Sequence, residues 1–228
     1  IGTSSGLCRY NRDTDSFSRE LINAQSNSSF IFKHNVNTLF EDDSKTLWVG
    51  TSDGLHRLDR GSNGFTFSVY QADSNGVGLS NNYVTQILQD DMGLLIGTRK
   101  GLNRLIFKEG SELEIKRMLH KDLEDLFVLS MIIDVNSNVW LGTNTGLHKI
   151  AYSCGSNFDV SKNVLKTIDK RLSDVSINSI LSYDKSNIWI GTKKLGLIHL
   201  NHENNKVRFF EHDIVNAQSL RSNEINVI

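Results

Sequence analysis

Leu47-Trp-Val-Gly-Thr-Ser-Asp-Gly-Leu-His-Arg-Leu-Asp59 sets the architecture, because its centre returns four more times along the chain. The other copies are Ile1-Gly-Thr-Ser-Ser-Gly-Leu7, Ile96-Gly-Thr-Arg-Lys-Gly-Leu102, Leu141-Gly-Thr-Asn-Thr-Gly-Leu147 and Ile190-Gly-Thr-Lys-Lys-Leu-Gly-Leu197. Their Gly-Thr pairs fall at 2–3, 50–51, 97–98, 142–143 and 191–192, so the first glycines are 48, 47, 45 and 49 residues apart. A second phrase keeps the same beat: Val36-x-x-Leu39, Val84-x-x-Ile87, Val128-x-x-Met131, Ile177-x-x-Ile180 and Ile225-x-x-Ile228. A period in this range belongs to arrays of small sheets rather than to helical or leucine-rich repeats.

Each period reads as four short strands. Val36 to Glu41 is an apolar run suited to an innermost strand buried on both faces. Asp42-Asp43-Ser44-Lys45 is a polar turn, and Asp90, Asp134 and Asp184 open the equivalent turns. Leu47 to Thr51 is the second strand, Ser52-Asp53-Gly54 a tight turn, and Leu55 to Leu58 the third strand. Phe65 to Tyr70 alternates as an outer strand should. Ser111 to Leu126 has the charge density of a short helix, but Leu113, Ile115 and the repeat beat favour an outer strand followed by a long loop. A lone four-stranded sheet of about 47 residues cannot cover both its faces, whereas radial stacking of copies can, which gives an all-β fold: a β-propeller of four-stranded antiparallel blades.

Trp48, Trp140 and Trp189 stand two residues before Gly50, Gly142 and Gly191 and so share their side of the strand; Leu95 holds the place before Gly97. The glycines let the next blade approach while the indoles fill the widening wedge, so the three tryptophans are expected to be buried between sheets. Gly54, Gly101 and Gly146 close the turns. The chain lacks an initiator Met, begins inside one repeat and ends inside another, and is read as a single propeller segment over 1–228 with about five blades. Two arrangements fit: five blades closing on themselves, or an arc of a larger, seven-bladed ring.

Composition excludes several functions. Lys and Arg number 25 against 26 Asp and Glu, a formal charge of −1, so no global basic field is available for nucleic acid. Apolar runs are far too short to cross a bilayer, and no signal peptide opens the chain. Cys8 and Cys154 are too few for a disulfide framework and lack ligand spacing. No cofactor or metal site is read: His56 and His148 occupy one register in different blades, and Asp134-x-Asn136-x-Asn138 imitates a calcium loop but has Val139 and Thr145 where Gly and Glu belong. Asp42-Asp43 and Asp90-Asp91 recur because the turn recurs, which argues against a glycosidase pair. Neither a G-x-S-x-G elbow nor a P-loop is present, and Gly76-Val-Gly78 has Asn81 in place of a third glycine.

The phrase Leu47 to Asp59 resembles the two-component regulator propeller repeat, and the resemblance extends over the chain to the linking phrases Gly78-Leu-Ser-Asn-Asn-Tyr-Val84 and Ser219-Leu-Arg-Ser-Asn-Glu-Ile225. Leu95 for Trp, Ile198-His199 for x-Arg and an extra residue at Leu195 depart from it. The resemblance implies a periplasmic, non-enzymatic sensing region of a hybrid two-component histidine kinase. The parent it implies is membrane-anchored and dimeric, and detects oligosaccharides released from glycans to control carbohydrate-utilisation genes. A propeller scaffold that binds a protein partner is the alternative; a propeller lyase or hydrolase would need convergent acids and bases that the repeats do not supply.

A ligand is bound in one place while a consensus is everywhere, so function is sought where the repeats disagree. Arg9, Arg57, Arg104, Lys149 and His199 share one register and are read as structural, their stems packed between blades and their heads on carboxylates. The turns between second and third strands, with the loops leading into the inner strands, share one face and carry the variable residues: Ser52-Asp53, Arg99-Lys100, Asn144-Thr145 and Lys193-Lys194-Leu195, plus Asn81-Asn82 and Ser222-Asn223. Asp53, Arg99, Lys100, Asn144, Lys193 and Lys194 are the candidate ligand residues, with Arg99, Lys100, Lys193 and Lys194 expected to lean toward one central depression and to favour an acidic sugar.

Overall fold

In each Gly-Thr-x-x-Gly phrase the chain leaves one strand, turns within two or three residues and returns antiparallel. Gly54 and Gly146 show why glycine is needed there, with φ of 121° and 129°, a region that a side chain strains to enter. The computed structural model describes residues 1–18, 34–61, 64–108, 113–152 and 158–228, in two units, Ile1–Met118 and Leu119–Ile228. Cys154 and the start of the Ser111 to Leu126 stretch lie outside the described residues.

The first unit opens with two small hairpins, β1 (Gly2–Thr3) with β2 (Gly6–Leu7) and β3 (Arg9–Asn11) with β4 (Ser16–Ser18). A four-stranded sheet follows: β5 (Val36–Glu41), β6 (Leu47–Thr51), β7 (Gly54–Gly61) and β8 (Gly64–Tyr70). The next is β9 (Val84–Asp90), β10 (Gly93–Thr98), β11 (Leu102–Phe107) and β12 (Leu113–Arg117). In the second unit β13 (Val128–Ile133), β14 (Val139–Thr143), β15 (Gly146–Tyr152) and β16 (Phe158–Ser161) form one sheet. The last comprises β17 (Ile177–Ser182), β18 (Asn187–Thr192), β19 (Leu197–Asn201) and β20 (Lys206–Phe210). Each of these sheets is an antiparallel meander in chain order, and the fold is a β-propeller built of such blades.

Within each unit the blades stack face to face over apolar side chains. Trp48, Leu55, Leu79, Val84, Ile87, Leu94, Ile96 and Leu105 fill the space between the two sheets of the first unit. Trp140, Ile177, Ile180, Ile190 and Leu200 do the same in the second, together with Leu165, Leu172 and Val175 from the segment leading into β17. Each fully buried side chain of this size contributes about 1.5 to 3 kcal/mol. The glycines set the separation: a Cβ on Gly50 would sit 2.6 Å from Val84 Cγ1, and one on Gly142 would sit 2.7 Å from Ile177 Cγ2.

Two expectations about burial need correction. Trp48 and Trp140 are buried, but Trp189 is only half-buried. Trp48 is covered by Phe107 of the following sheet and Trp140 by His202 of the following sheet, at ring separations of 6.3 and 5.3 Å. The rings beside Trp189 are His199 and Phe210 of its own sheet, and among the described residues no further sheet lies over it. The inner strand β5 is not buried on both faces either: Leu39 and Glu41 are exposed, whereas Ile87, Met131 and Ile180, which stand where Leu39 does in the later blades, are buried. Near the start of every inner strand the pairing with the second strand slips by one residue, a β-bulge. At two of these bulges the extra residue reaches forward to the next blade, where Asn37 Nδ2 donates to the Val84 carbonyl (2.7 Å) and Asn178 Nδ2 to the Ile225 carbonyl (3.0 Å).

Candidate functional site

The threonine of each Gly-Thr pair builds the turn that follows it. The hydroxyls of Thr51, Thr98, Thr143 and Thr192 donate to the carbonyls of Gly54, Gly101, Gly146 and Gly196 at 2.8 to 3.0 Å and accept a turn amide in exchange. All four threonines are fully buried, so the hydroxyl has no water to fall back on and the turn is fixed.

These turns are tied to the loops leading into the inner strands. The amides of Ser52, Arg99, Asn144 and Lys193 donate to the carbonyls of Asn35, Tyr83, Phe127 and Ser176. The amides of Gly54 and Gly196 reach the loops of the next blades, at Asn82 and Asn223. Within each unit, turns and loops therefore share one face, as their positions in the repeat require.

The candidate ligand residues divide by what already holds them. Asp53 is engaged: its carboxylate accepts from Gln71 and Asn82 and lies 3.5 Å from His34. Asn144 accepts from the Phe127 amide. Asn81, Asn82, Ser222 and Asn223 accept backbone amides of their own loops. Arg99 lies flat over the Tyr83 ring, 3.5 Å from its centroid, beside exposed Lys100 in the first unit. In the second unit Lys193 and Lys194 are exposed and their ammonium groups meet no hydrogen-bond or ion-pair partner among the described residues. They line a pocket of about 450 Å³ with Lys170, Arg171 and Asp174.

The recurring acids and cations are structural. Asp42 and Asp134 are buried, and their carboxylates accept from the turn amides and from the indole N–H of Trp48 (2.8 Å) and Trp140 (2.9 Å). Burial acts to raise the Asp134 carboxyl, but the bonds from Asn138, Trp140 and the turn amides outweigh it and hold the group below the usual carboxylate range. Where Leu95 replaces the tryptophan, Arg104 takes over the donor role with a bidentate contact to Asp90 at 2.5 and 2.7 Å. Arg104 stands directly across the strand pair from Leu95, as Arg57, Lys149 and His199 stand across from Trp48, Trp140 and Trp189, over whose rings they lie.

His56 and His148, one residue past the Gly-Leu of their repeats, are buried, and burial pushes both imidazoles down to about 4. His56 Nε2 is 3.2 Å from the Thr51 hydroxyl, while neither nitrogen of His148 has a partner among the described residues. No group of three or more His, Cys, Asp or Glu side chains suited to a metal stands together among the described residues. None of their helices is long and apolar enough to cross a membrane.

Residues 31–53 match the family described as the two component regulator propeller. The chain superposes on the extracellular domain described as that of a one component system, BT4673, from B. thetaiotaomicron, with 25% identity and a TM-score of 0.72 over 99% of this chain and 28% of that one. It superposes likewise on the extracellular domain of a hybrid two component system, BT3049, from the same organism, with 26% identity and a TM-score of 0.69 over 98% of this chain and 28% of that one. PorZ, a surface component of the type-IX secretion system of Porphyromonas gingivalis, shares the fold at 16% identity and a TM-score of 0.67, over 99% of this chain and 33% of PorZ. No curated protein sequence matches the chain. The fold and its pinned turns define a repeat propeller of the kind found in extracellular domains. One stretch of the chain, residues 31–53, matches the two component regulator propeller repeat, and the chain as a whole is similar to extracellular domains of hybrid two component systems, of which it spans 28% of the length.

Proposed function

We propose that this chain is the ligand-reading propeller region of a periplasmic sensor in a hybrid two-component system, and that its ligand is an oligosaccharide released from a glycan. The observation that carries the reading is similarity over 98 to 99% of this chain, and 28% of theirs, to extracellular domains of such systems at 25 and 26% identity. The segment itself acts by binding: the recurring acids are consumed by turn amides, indoles and Arg104, which leaves no pair of carboxyls facing a common substrate at these positions. The parent protein would be membrane-anchored and dimeric, and ligand binding would favour one mutual arrangement of the protomers, biasing a cytoplasmic kinase. Calorimetric titration of the chain, within its complete ectodomain, against a panel of neutral and acidic oligosaccharides tests this. Saturable binding of one glycan class with micromolar or tighter affinity supports it, and a protein partner captured in place of any sugar would replace it with the scaffold reading.

A further inference from the structure

Two departures from the repeat meet at one place in the second unit. Four of the five repeats put two residues between the turn threonine and its glycine, but the β18–β19 turn holds three, Lys193, Lys194 and Leu195. The segment facing it, which leads into β17, keeps the Leu-Ser of 79–80 as Leu172-Ser173 but has Arg171 in place of Gly78 and forms a short 3-10 turn over Lys170–Leu172, anchored by buried Leu165, Leu172 and Val175. The amide of Lys193 donates to the Ser176 carbonyl at 3.0 Å and locks the two departures together. The pocket of about 450 Å³ lies between them.

Its charges are unevenly satisfied. Arg171 is already committed: it pairs with Asp169 at 3.0 Å, stacks 3.9 Å from the Phe209 centroid and lies 3.7 Å from Glu211. Lys170, Lys193 and Lys194 are exposed and have no side-chain partner among the described residues, and Asp174 is the one lining carboxylate in the same condition. Three free ammonium groups around a pocket attract an anion, and as point charges without a fork they can share one carboxylate from several directions. A simple multivalent anion would be repelled by Asp174. A ligand that carries both an anionic group and hydroxyl donors would satisfy the lysines and Asp174 together, and half-buried Leu195 offers an apolar surface for a sugar ring.

We infer that this pocket binds an acidic sugar, with Lys170, Lys193 and Lys194 on its carboxylate and Asp174 accepting from its hydroxyls. The inference deepens the sugar-reading proposal and rests on it. Titration of the full chain with tetragalacturonate, with a glucuronate-containing tetrasaccharide, with the methyl ester of tetragalacturonate and with inorganic sulfate tests it. One acidic sugar should bind, and its affinity should fall at least tenfold with Lys193→Ala and Lys194→Ala combined and at least threefold with Asp174→Asn. Sulfate affinity should rise with Asp174→Asn, a change opposite in sign that misfolding cannot produce. Binding of the acidic sugar by the unaltered chain should also weaken as salt is raised, a readout that needs no variant. Esterification should weaken tetragalacturonate binding tenfold if that is the sugar bound. Acidic-sugar binding indifferent to the lysines and to salt, or binding of neutral sugars alone, overturns this assignment and leaves the sensor reading standing; sulfate binding without sugar binding reduces the pocket to an anion site and overturns it. If no oligosaccharide binds, both proposals fall.

Discussion

Asp134 shows what a repeated acid does in this fold. One carboxylate oxygen accepts the amides of Asn136 and Asn138 at 2.9 Å each, and the other accepts the Trp140 indole N–H at 2.9 Å. Asp134→Ala should therefore leave the buried Trp140 indole N–H, the amides of Asn136 and Asn138 and the Asn138 side-chain amide without this acceptor and cost about 2 to 4 kcal/mol in urea unfolding. Asp134→Asn keeps one carbonyl oxygen and should cost clearly less. The same logic explains an apparent defect in the sequence: Leu95 cannot donate, and Arg104, buried and directly opposite it, does so instead. Arg104→Leu should accordingly destabilise by about 3 kcal/mol, because Asp90 keeps its charge and loses its partner. A loss no larger than that of Arg57→Leu, whose carboxylate partner is more exposed, would show that the substitution at 95 is not compensated from 104.

Blades are held apart at a distance set by glycine. A Cβ at position 142 would meet Ile177 Cγ2 at 2.7 Å and the Ile177 carbonyl at 3.0 Å, so Gly142→Ala must push β17 away from β14 or strain both; a loss of about 1 to 3 kcal/mol is expected in chemical denaturation. This much of the fold could be read from period and punctuation alone, since Gly, Thr and the turn acids recur wherever geometry leaves no choice. The β6 and β8 boundaries fall within a residue of those read from Leu47 to Thr51 and Phe65 to Tyr70. Contacts made across sequence were not readable. The Asn37 and Asn178 bulges bond to the next inner strand, and the half-burial of Trp189 depends on what covers the sheet rather than on its own pattern. The site shows the same division. Variable turns were visible in the sequence, but only the geometry separates Asp53 and Asn144, which are held by the adjoining loops, from Lys193 and Lys194, which are not. In the segment from 170 to 176 the sequence repeats only Leu172-Ser173 of the linking phrase, and that it forms the other wall of the pocket shows only in the structure.

Each unit buries one histidine at the same register, and together they make the stability of the whole chain sensitive to mild acid. His56 in the first unit and His148 in the second are almost wholly removed from solvent, and burial holds both near pKa 4; beside His148, Lys162 lowers it further while Asp122 opposes. In the unfolded chain an imidazole takes its proton near 6.5. Between about pH 6.5 and 4 the unfolded state therefore binds more protons than the folded one, so stability is fully present above 6.5, declines as pH falls through this window, and levels off below it as far as these two groups are concerned. Each histidine contributes on the order of 2 kcal/mol to that decline. The repeat itself supplies a substitute of similar size that does not titrate, since Asn103 occupies the position in the β9–β12 blade, where it bonds Ser80 and the Ile96 carbonyl. His148→Asn should lose less stability between pH 6.5 and 4 than the unaltered chain does, and His56→Asn with His148→Asn less again. Carboxylates titrating below pH 5 act equally in all three proteins, so the differences in melting temperature across the window isolate the imidazoles. Parallel curves for the three proteins would show that the acid sensitivity arises elsewhere.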